Sequence, residues 1–296
     1  MRLIELGHTG KTVGQLGYGL WRFSGTGVDE ALPKIRTAID AGMTLIDTAD
    51  VYGAGDVGFG GSEALLGEVL RADPGLRSKM LLATKGGVDL GVPYDNSRDY
   101  MLKACDASLK RLGVEQIDLY QVHRVDLLTG PEELANTLDT LVASGKVAEI
   151  GVSNMTAPQL RALSSHMKAP IVSVQNEFSA LCQAPIDDGV LSWCQETGAT
   201  FLCWSPLGGG RLLNPSDNDN AALSVVSALD AIAKTYDMSR ADAAMAFLLR
   251  YPAKIIPIVG TQTLERIDHF GQKEWPVLGR REWYDVVEAA RGERMP

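Results

Sequence analysis

No stretch of this chain approaches the ~20 consecutive apolar residues that a membrane-spanning helix needs. Its opening segment, MRLIELGHTGK, lacks the continuous apolar core of a secretory signal, so the expected location is the cytoplasm. Cysteine is scarce. Cys105, Cys182, Cys194 and Cys203 make no C-x-x-C pair and no zinc-type spacing, which leaves four reduced thiols and no metal site as the expectation. Basic charge is short as well: 28 Lys and Arg stand against 37 Asp and Glu, for a net charge of −9. Without a basic stripe to neutralise phosphates, nucleic acid is not expected as a partner. No linker or low-complexity segment divides the 296 residues, so a single domain over 1–296 is expected. That length suits a closed α/β barrel, which typically runs to roughly 250 residues as one unit. Nothing in the sequence sets the oligomeric state.

What the chain does contain is alternation. Leu3–Leu6, a turn at Gly7–Gly10 and a short return strand read as a hairpin. Strand-like runs then follow at Gly17–Trp21, Thr44–Asp47, Met80–Lys85, Ile117–His123, Val147–Val152, Ile171–Gln175, Thr200–Trp204 and Ile255–Ile258. Asp29 is a candidate N-cap for a helix whose apolar face is Ala31, Ile35, Ala38 and Ile39, and Pro33 lies close enough to its start to be tolerated. Ser62 is a candidate cap for the next helix, with Glu63 in its first turn. A helix is expected around Leu102, Leu109 and Leu112, and others near 133–144, 157–166, 187–197 and 223–250. The glycine- and asparagine-rich stretch from Gly208 to Asn220 reads as a functional loop, and Glu282–Ala290 as a final helix. The pattern predicts a (β/α)8 TIM barrel with an N-terminal β-hairpin cap and an extra C-terminal helix.

Two nucleotide motifs tempt and fail. Gly53-Ala54-Gly55-Asp56-Val57-Gly58 fits G-x-G-x-x-G, but the dinucleotide fingerprint opens directly into a helix from the strand–helix turn, and here the turn begins earlier, at Asp47. Gly10-Lys11-Thr12 resembles the end of a P-loop, yet the motif's first glycine would have to stand where Glu5 does.

Chemistry gathers instead at the exits of three adjacent strands. Asp47 ends the second barrel strand and Tyr52 follows in its loop, Lys85 ends the third, and His123 ends the fourth. Barrel active sites assemble at those ends, and neighbouring strands lie about 4.8 Å apart, so the four side chains can meet. Taken alone, Asp47, Tyr52 or Lys85 reads more often as a structural ion pair or a rim residue than as a catalyst, and His123 as readily as a residue that satisfies backbone groups. Together they match the needs of carbonyl reduction. Hydride addition leaves an alkoxide to be protonated, and tyrosine, with a pKa of ~10, is a poor acid–base catalyst unaided. A nearby ammonium favours the phenolate and a carboxylate holds that ammonium, while an imidazole can polarise the carbonyl oxygen.

These segments resemble the aldo-keto reductase family: I-D-T-A-D-x-Y-G at 46–53, A-T-K at 83–85 and V-H-R at 122–124. Later landmarks fall in order: Gly151-Val152-Ser153-Asn154, Gln175, Trp204-Ser205-Pro206-Leu207-Gly208, and Gly260-Thr261 followed by Glu265-Arg266-Ile267. Within the family, the WSPLGGGRL loop and the C-terminal tail look most like a bacterial branch of predicted oxidoreductases. The resemblance implies NADPH, with NADH as the other candidate, bound across the barrel mouth without a Rossmann domain. It implies Ser153, Asn154 and Gln175 on the nicotinamide amide, Trp204 under its ring, and Trp21 and Asp47 among the cofactor's neighbours. It further implies that the loop of Ser205, Pro206, Leu207, Gly209 and Arg211 wraps the pyrophosphate. Gly260, Thr261 and Gln262 stand where relatives often carry a cation for the adenosine 2′-phosphate, which leaves Arg266 as the nearest positive charge. The expected partner is a small-molecule carbonyl or alcohol. Two rivals remain in view from the residues: a non-catalytic nicotinamide-binding regulatory subunit of the same fold, and a lyase using Lys85 as a Schiff base.

Overall fold

A computed structural model describes residues 1–23 and 25–296. The chain opens with an antiparallel hairpin, β1 (Leu3–Glu5) and β2 (Thr12–Gly14), with Ile4 opposite Val13. Eight parallel strands follow: β3 (Gly17–Gly19), β4 (Leu45–Asp47), β5 (Leu81–Gly86), β6 (Ile117–Val122), β7 (Val147–Ser153), β8 (Ile171–Glu177), β9 (Thr200–Trp204) and β10 (Ile255–Val259). They close into a barrel in the order β10-β3-β4-β5-β6-β7-β8-β9. Around it run α1 (Val28–Asp40), α2 (Gly61–Ala72), α3 (Arg98–Leu112), α4 (Pro131–Ala143), α5 (Ala157–Ser164), α6 (Ala184–Asp187), α7 (Val190–Thr197), α8 (Asn220–Thr235), α9 (Arg240–Leu249), α10 (Leu264–Gln272) and α11 (Arg280–Arg291).

The two-residue period of the strands divides the barrel into an apolar floor and a polar upper layer. Leu45, Leu81, Ala83, Leu119, Val172, Leu202, Ile256 and Ile258 fill the interior with Leu6 and Val13, which the hairpin brings beneath it. One inward step further along their strands come Asp47, Lys85 and Gln121. Lys85 pairs in register with Gln121, and Asp47 with Ala83. The larger core lies between the barrel wall and the helices. Burying that sheet-to-helix interface is the main favourable contribution to this architecture.

Several expected boundaries move, each for a local reason. Gly27, in extended conformation, is the N-cap of α1, so Asp29 sits inside the first turn. Gly60, at φ +80°, precedes α2, and Ser62 lies within that helix. Its hydroxyl donates to Leu20 O at 3.1 Å, and Glu63 is wholly buried. The expected helix over 223–250 is two helices. Asp237 takes a left-handed φ of +48°, and Ser239 caps α9, its hydroxyl donating to Asp242 at 2.7 Å while accepting from the Asp242 N–H. Gly189 at φ +83° likewise separates α6 from α7. Helix α10, after β10, was not anticipated and completes the repeat. Strand β3 stops at Gly19, so Trp21 stands beyond it, and β6 stops at Val122, one residue before His123. Helix α11 packs on the outside of the barrel: Trp283 stacks on Phe247 of α9 at 5.3 Å, and Tyr236, just after α8, donates to Glu282. Among the described residues, no helix is long and apolar enough to cross a membrane.

Candidate active site

Lys85 lies at the centre of the polar layer and is 1% exposed. Its ammonium donates to Asp47 Oδ2 at 2.7 Å and to the Thr48 carbonyl at 2.8 Å, and lies 4.8 Å from the centroid of the Tyr52 ring. The other oxygen of Asp47 accepts from Gln121 Nε2 at 3.0 Å and Gln175 Nε2 at 2.9 Å. Asp47 is therefore saturated by a cation and two amides, which compensates a carboxylate at such a depth. Tyr52 meets Trp21 edge-on at 5.1 Å between centroids and His123 at 5.8 Å. The structure thus brings Asp47, Tyr52, Lys85 and His123 together, as the sequence predicted.

Electrostatics fixes where the protons sit. Burial would lower the Lys85 pKa, but the Asp47 carboxylate and Tyr52 outweigh it and leave it raised. A raised lysine holds its proton, the reverse of the neutral amine that Schiff-base chemistry requires. Burial raises the Tyr52 pKa; Lys85 pulls it down as expected, without overcoming burial. Burial, then the positive charges of Lys85 and Arg124, push His123 well below the ordinary histidine range, so its ring is neutral. Its Nδ1 is buried and has no partner among the described residues. The site therefore combines a fixed ammonium, a protonated phenol beside it and a neutral imidazole across the phenol ring. Such a set can polarise an oxygen and hand it a proton.

The predicted cofactor residues flank this group. Ser153 Oγ donates to Gln175 O at 2.6 Å. Asn154, held at a left-handed φ of +57°, donates from its amide to His123 O and Ser153 Oγ, and accepts from Trp204 Nε1 at 3.0 Å. Ser153, Asn154, Gln175 and Trp204 are thus one hydrogen-bonded unit touching the tetrad. In the loop after β9, Ser205 takes φ +50°, Pro206 and Leu207 follow, and Gly208–Gly210 make a single 3-10 turn with Gly209 at φ +67°. Arg211 is drawn back onto Asp219 by two hydrogen bonds of 2.7 and 2.9 Å. Gly260, Thr261 and Gln262 form the segment after β10, where Tyr18 donates to Thr261 O at 3.1 Å and Gln262 Oε1 is buried without a partner among the described residues. Arg266 is exposed on α10. Two groups at the site were missed by sequence reasoning: Gln121, and the Thr48 carbonyl that accepts from Lys85. Gln121 had a signal, being a polar residue two positions before His123 on the inward face of its strand, after the apolar Ile117 and Leu119.

A closed barrel whose mouth holds this cluster defines a class, the barrel oxidoreductases that act on carbonyls. Comparison with known proteins makes the assignment specific: the aldo/keto reductase family profile matches residues 15–278, and the chain belongs to that family. It is similar to a 6-dehydroglucose reductase of Novosphingobium aromaticivorans, 45% identical over 99% of this chain and 96% of that protein. A 6-dehydroglucose reductase of Agrobacterium fabrum is 35% identical, with 94% of each chain covered. Among solved structures, the thermostable aldo-keto reductase Tm1743, in complex with the inhibitor epalrestat, superposes with a TM-score of 0.80 at 27% identity, covering 98% of this chain and 100% of that one. The protein is an NAD(P)H-dependent oxidoreductase that acts on a small-molecule carbonyl or its alcohol.

Proposed function

We propose that this enzyme reduces the aldehyde of a small polyhydroxylated substrate of the 6-dehydroglucose type, using NADPH, with Tyr52 as proton donor. The observation that carries the reading is the buried Lys85–Asp47 pair lying against the Tyr52 ring, opposite a neutral His123. The substrate class rests on the two similar reductases and on their near full-length coverage.

The residues fit a nicotinamide dinucleotide. Gln262 Oε1 and Asn176 Oδ1 are buried acceptors without a donor among the described residues. Ser153, Asn154 and Gln175 supply the paired donors and acceptors that an amide needs, and Trp204 is a flat platform beside them. Ser205, Pro206, Leu207, Gly209 and Arg211 would hold the pyrophosphate, with Gly260, Thr261, Gln262 and Arg266 at the adenosine end and Trp21 and Asp47 near the ring. The dinucleotide, when bound, supplies the hydride. His123 donates a hydrogen bond to the substrate oxygen and orients it. Tyr52 passes its proton to that oxygen as negative charge develops there, and the Lys85 ammonium stabilises the phenolate left behind. Asp47, Gln121 and Gln175 keep Lys85 in place. A cytoplasmic location belongs to the same proposal, and the four free cysteines agree with a reducing compartment.

Tyr52→Phe tests the assignment. Turnover should fall on the order of 10²–10⁴ while cofactor still binds. Near-normal turnover would remove Tyr52 from the role. The cofactor is tested by titrating tryptophan fluorescence with NADPH and NADH. Tighter binding of NADPH is expected, with the preference weakened in Arg266→Ala; equal affinity for the two would show that Arg266 does not grip a 2′-phosphate.

A further inference from the structure

Behind the tetrad, on the helix side of the barrel wall, a second polar group is buried that the reaction does not use. Asp50, between β4 and α2, is 0% exposed, and neither of its carboxyl oxygens has a hydrogen-bond partner among the described residues. Tyr120 of β6 is equally buried and its hydroxyl is equally unpartnered. Both face the bare α-carbon of Gly86: a Cβ there would lie 2.1 Å from Tyr120 Oη and 3.4 Å from Asp50 Oδ2. Gly86 therefore lets the Tyr120 hydroxyl lie against its backbone, and the two distances put the oxygens no more than about 5.5 Å apart, within reach of a single bridging water.

The surrounding polar groups are spoken for. Glu63 of α2 accepts from Thr84 Oγ1 at 2.5 Å and from Arg111 Nε of α3 at 2.7 Å. Arg111 also reaches Ser108, Tyr100 donates to Val88 O, and Lys85 is committed to Asp47 and Thr48. Arg111 and Lys85, the cations that act on Asp50, are already paired with Glu63 and Asp47, and an ionised carboxylate with no ion-pair partner of its own would be costly at this depth. Burial, with Glu63 next, raises the Asp50 pKa well above the carboxylate range against the pull of Arg111, of the nearby Val51 N–H and of Lys85, and burial also raises Tyr120.

We propose that Asp50 and Tyr120 form an internal water-binding site, in which a neutral Asp50 carboxyl and the Tyr120 hydroxyl hold one bridging water and so position the Thr48–Tyr52 turn. A water held between two buried oxygens satisfies both at little cost. The turn it braces is fastened to Lys85 at two points, by Asp50 N–H donating to Lys85 O at 3.0 Å and by Lys85 Nζ donating to Thr48 O. Tyr52 lies two residues beyond Asp50. Asp50 is thus a positioning residue, acting on the phenol through the backbone.

A high-resolution crystal structure should show a water within hydrogen-bond reach of Asp50 and Tyr120. Infrared difference spectra should show the carbonyl stretch of a neutral carboxylic acid that disappears in Asp50→Asn and shifts in Tyr120→Phe. Asp50→Leu should lower kcat about ten- to a hundredfold with KM little changed, as misplacement of a reacting group does. Asp50→Asn should recover most of that loss and keep the pH profile. An empty gap in the density, a neutral-acid band that survives Asp50→Asn, or an unmoved band in Tyr120→Phe overturns the proposal. So does an Asp50→Leu enzyme with wild-type kcat, or a displaced pH profile in Asp50→Asn, which would mean that Asp50 acts through charge. If Asp50→Leu does not fold, the water and the band in Tyr120→Phe decide the matter alone. Neither readout depends on which substrate is reduced.

Discussion

His123 shows how depth sets chemistry. A histidine that is forced neutral when folded takes up a proton less readily than the same residue in the unfolded chain, whose pKa is ~6.5. The stability that its neutral ring contributes is therefore complete above about pH 6.5 and declines as the pH falls below that value, because the unfolded chain binds the proton first. We expect the difference in urea midpoint between wild type and His123→Gln to be largest near neutrality and to shrink or reverse in acid. A constant difference across that range would mean that the ring is not held neutral. Asp47, Tyr52, Lys85 and His123 were legible in the sequence because each follows a short buried run at a strand exit. The Thr48 carbonyl was not legible, since main-chain acceptors carry no residue signature. Nor was the pairing of Glu63 with Arg111, whose partners lie 48 residues apart on different helices.

The secondary-structure elements were readable where their period was strong and blurred where caps decide. All eight barrel strands were found within a few residues because each is a buried run bounded by turn chemistry. The break between α8 and α9 was missed, since apolar residues continue through Tyr236 and Met238 and conceal the cap at Ser239. That cap gives a direct check. Ser239→Ala should cost about 1 kcal/mol of stability, measured by denaturant unfolding, with turnover unchanged. Helix α10 escaped notice because its polar first turn, Leu264-Glu265-Arg266, looks like loop until its buried face of Ile267 and Phe270 is seen. The loop from Gly208 was correctly read as irregular, but its clamp of Arg211 on Asp219 depends on how the loop folds back, which residue spacing does not determine.

The assembled barrel separates stability from chemistry. Its lower half is apolar and its upper half carries the charges, with only one inward step along each strand between them. Leu6 is 0% exposed within the floor cluster, and its backbone hydrogen-bonds to Lys11 and Thr9 of the hairpin turn. Leu6→Ala should destabilise the protein by roughly 2–5 kcal/mol, as cavity-forming core substitutions do, while leaving kcat at moderate temperature close to wild type. A matching loss of kcat without loss of stability would show that the floor and the upper layer are coupled.

That floor has a consequence for traffic. With Leu6 and Val13 filling the barrel from below, the tetrad is closed off on the hairpin side. Ligands therefore come to the tetrad from the rim at the strands' carboxyl ends, and the hairpin, by shutting the far end, fixes that side of approach.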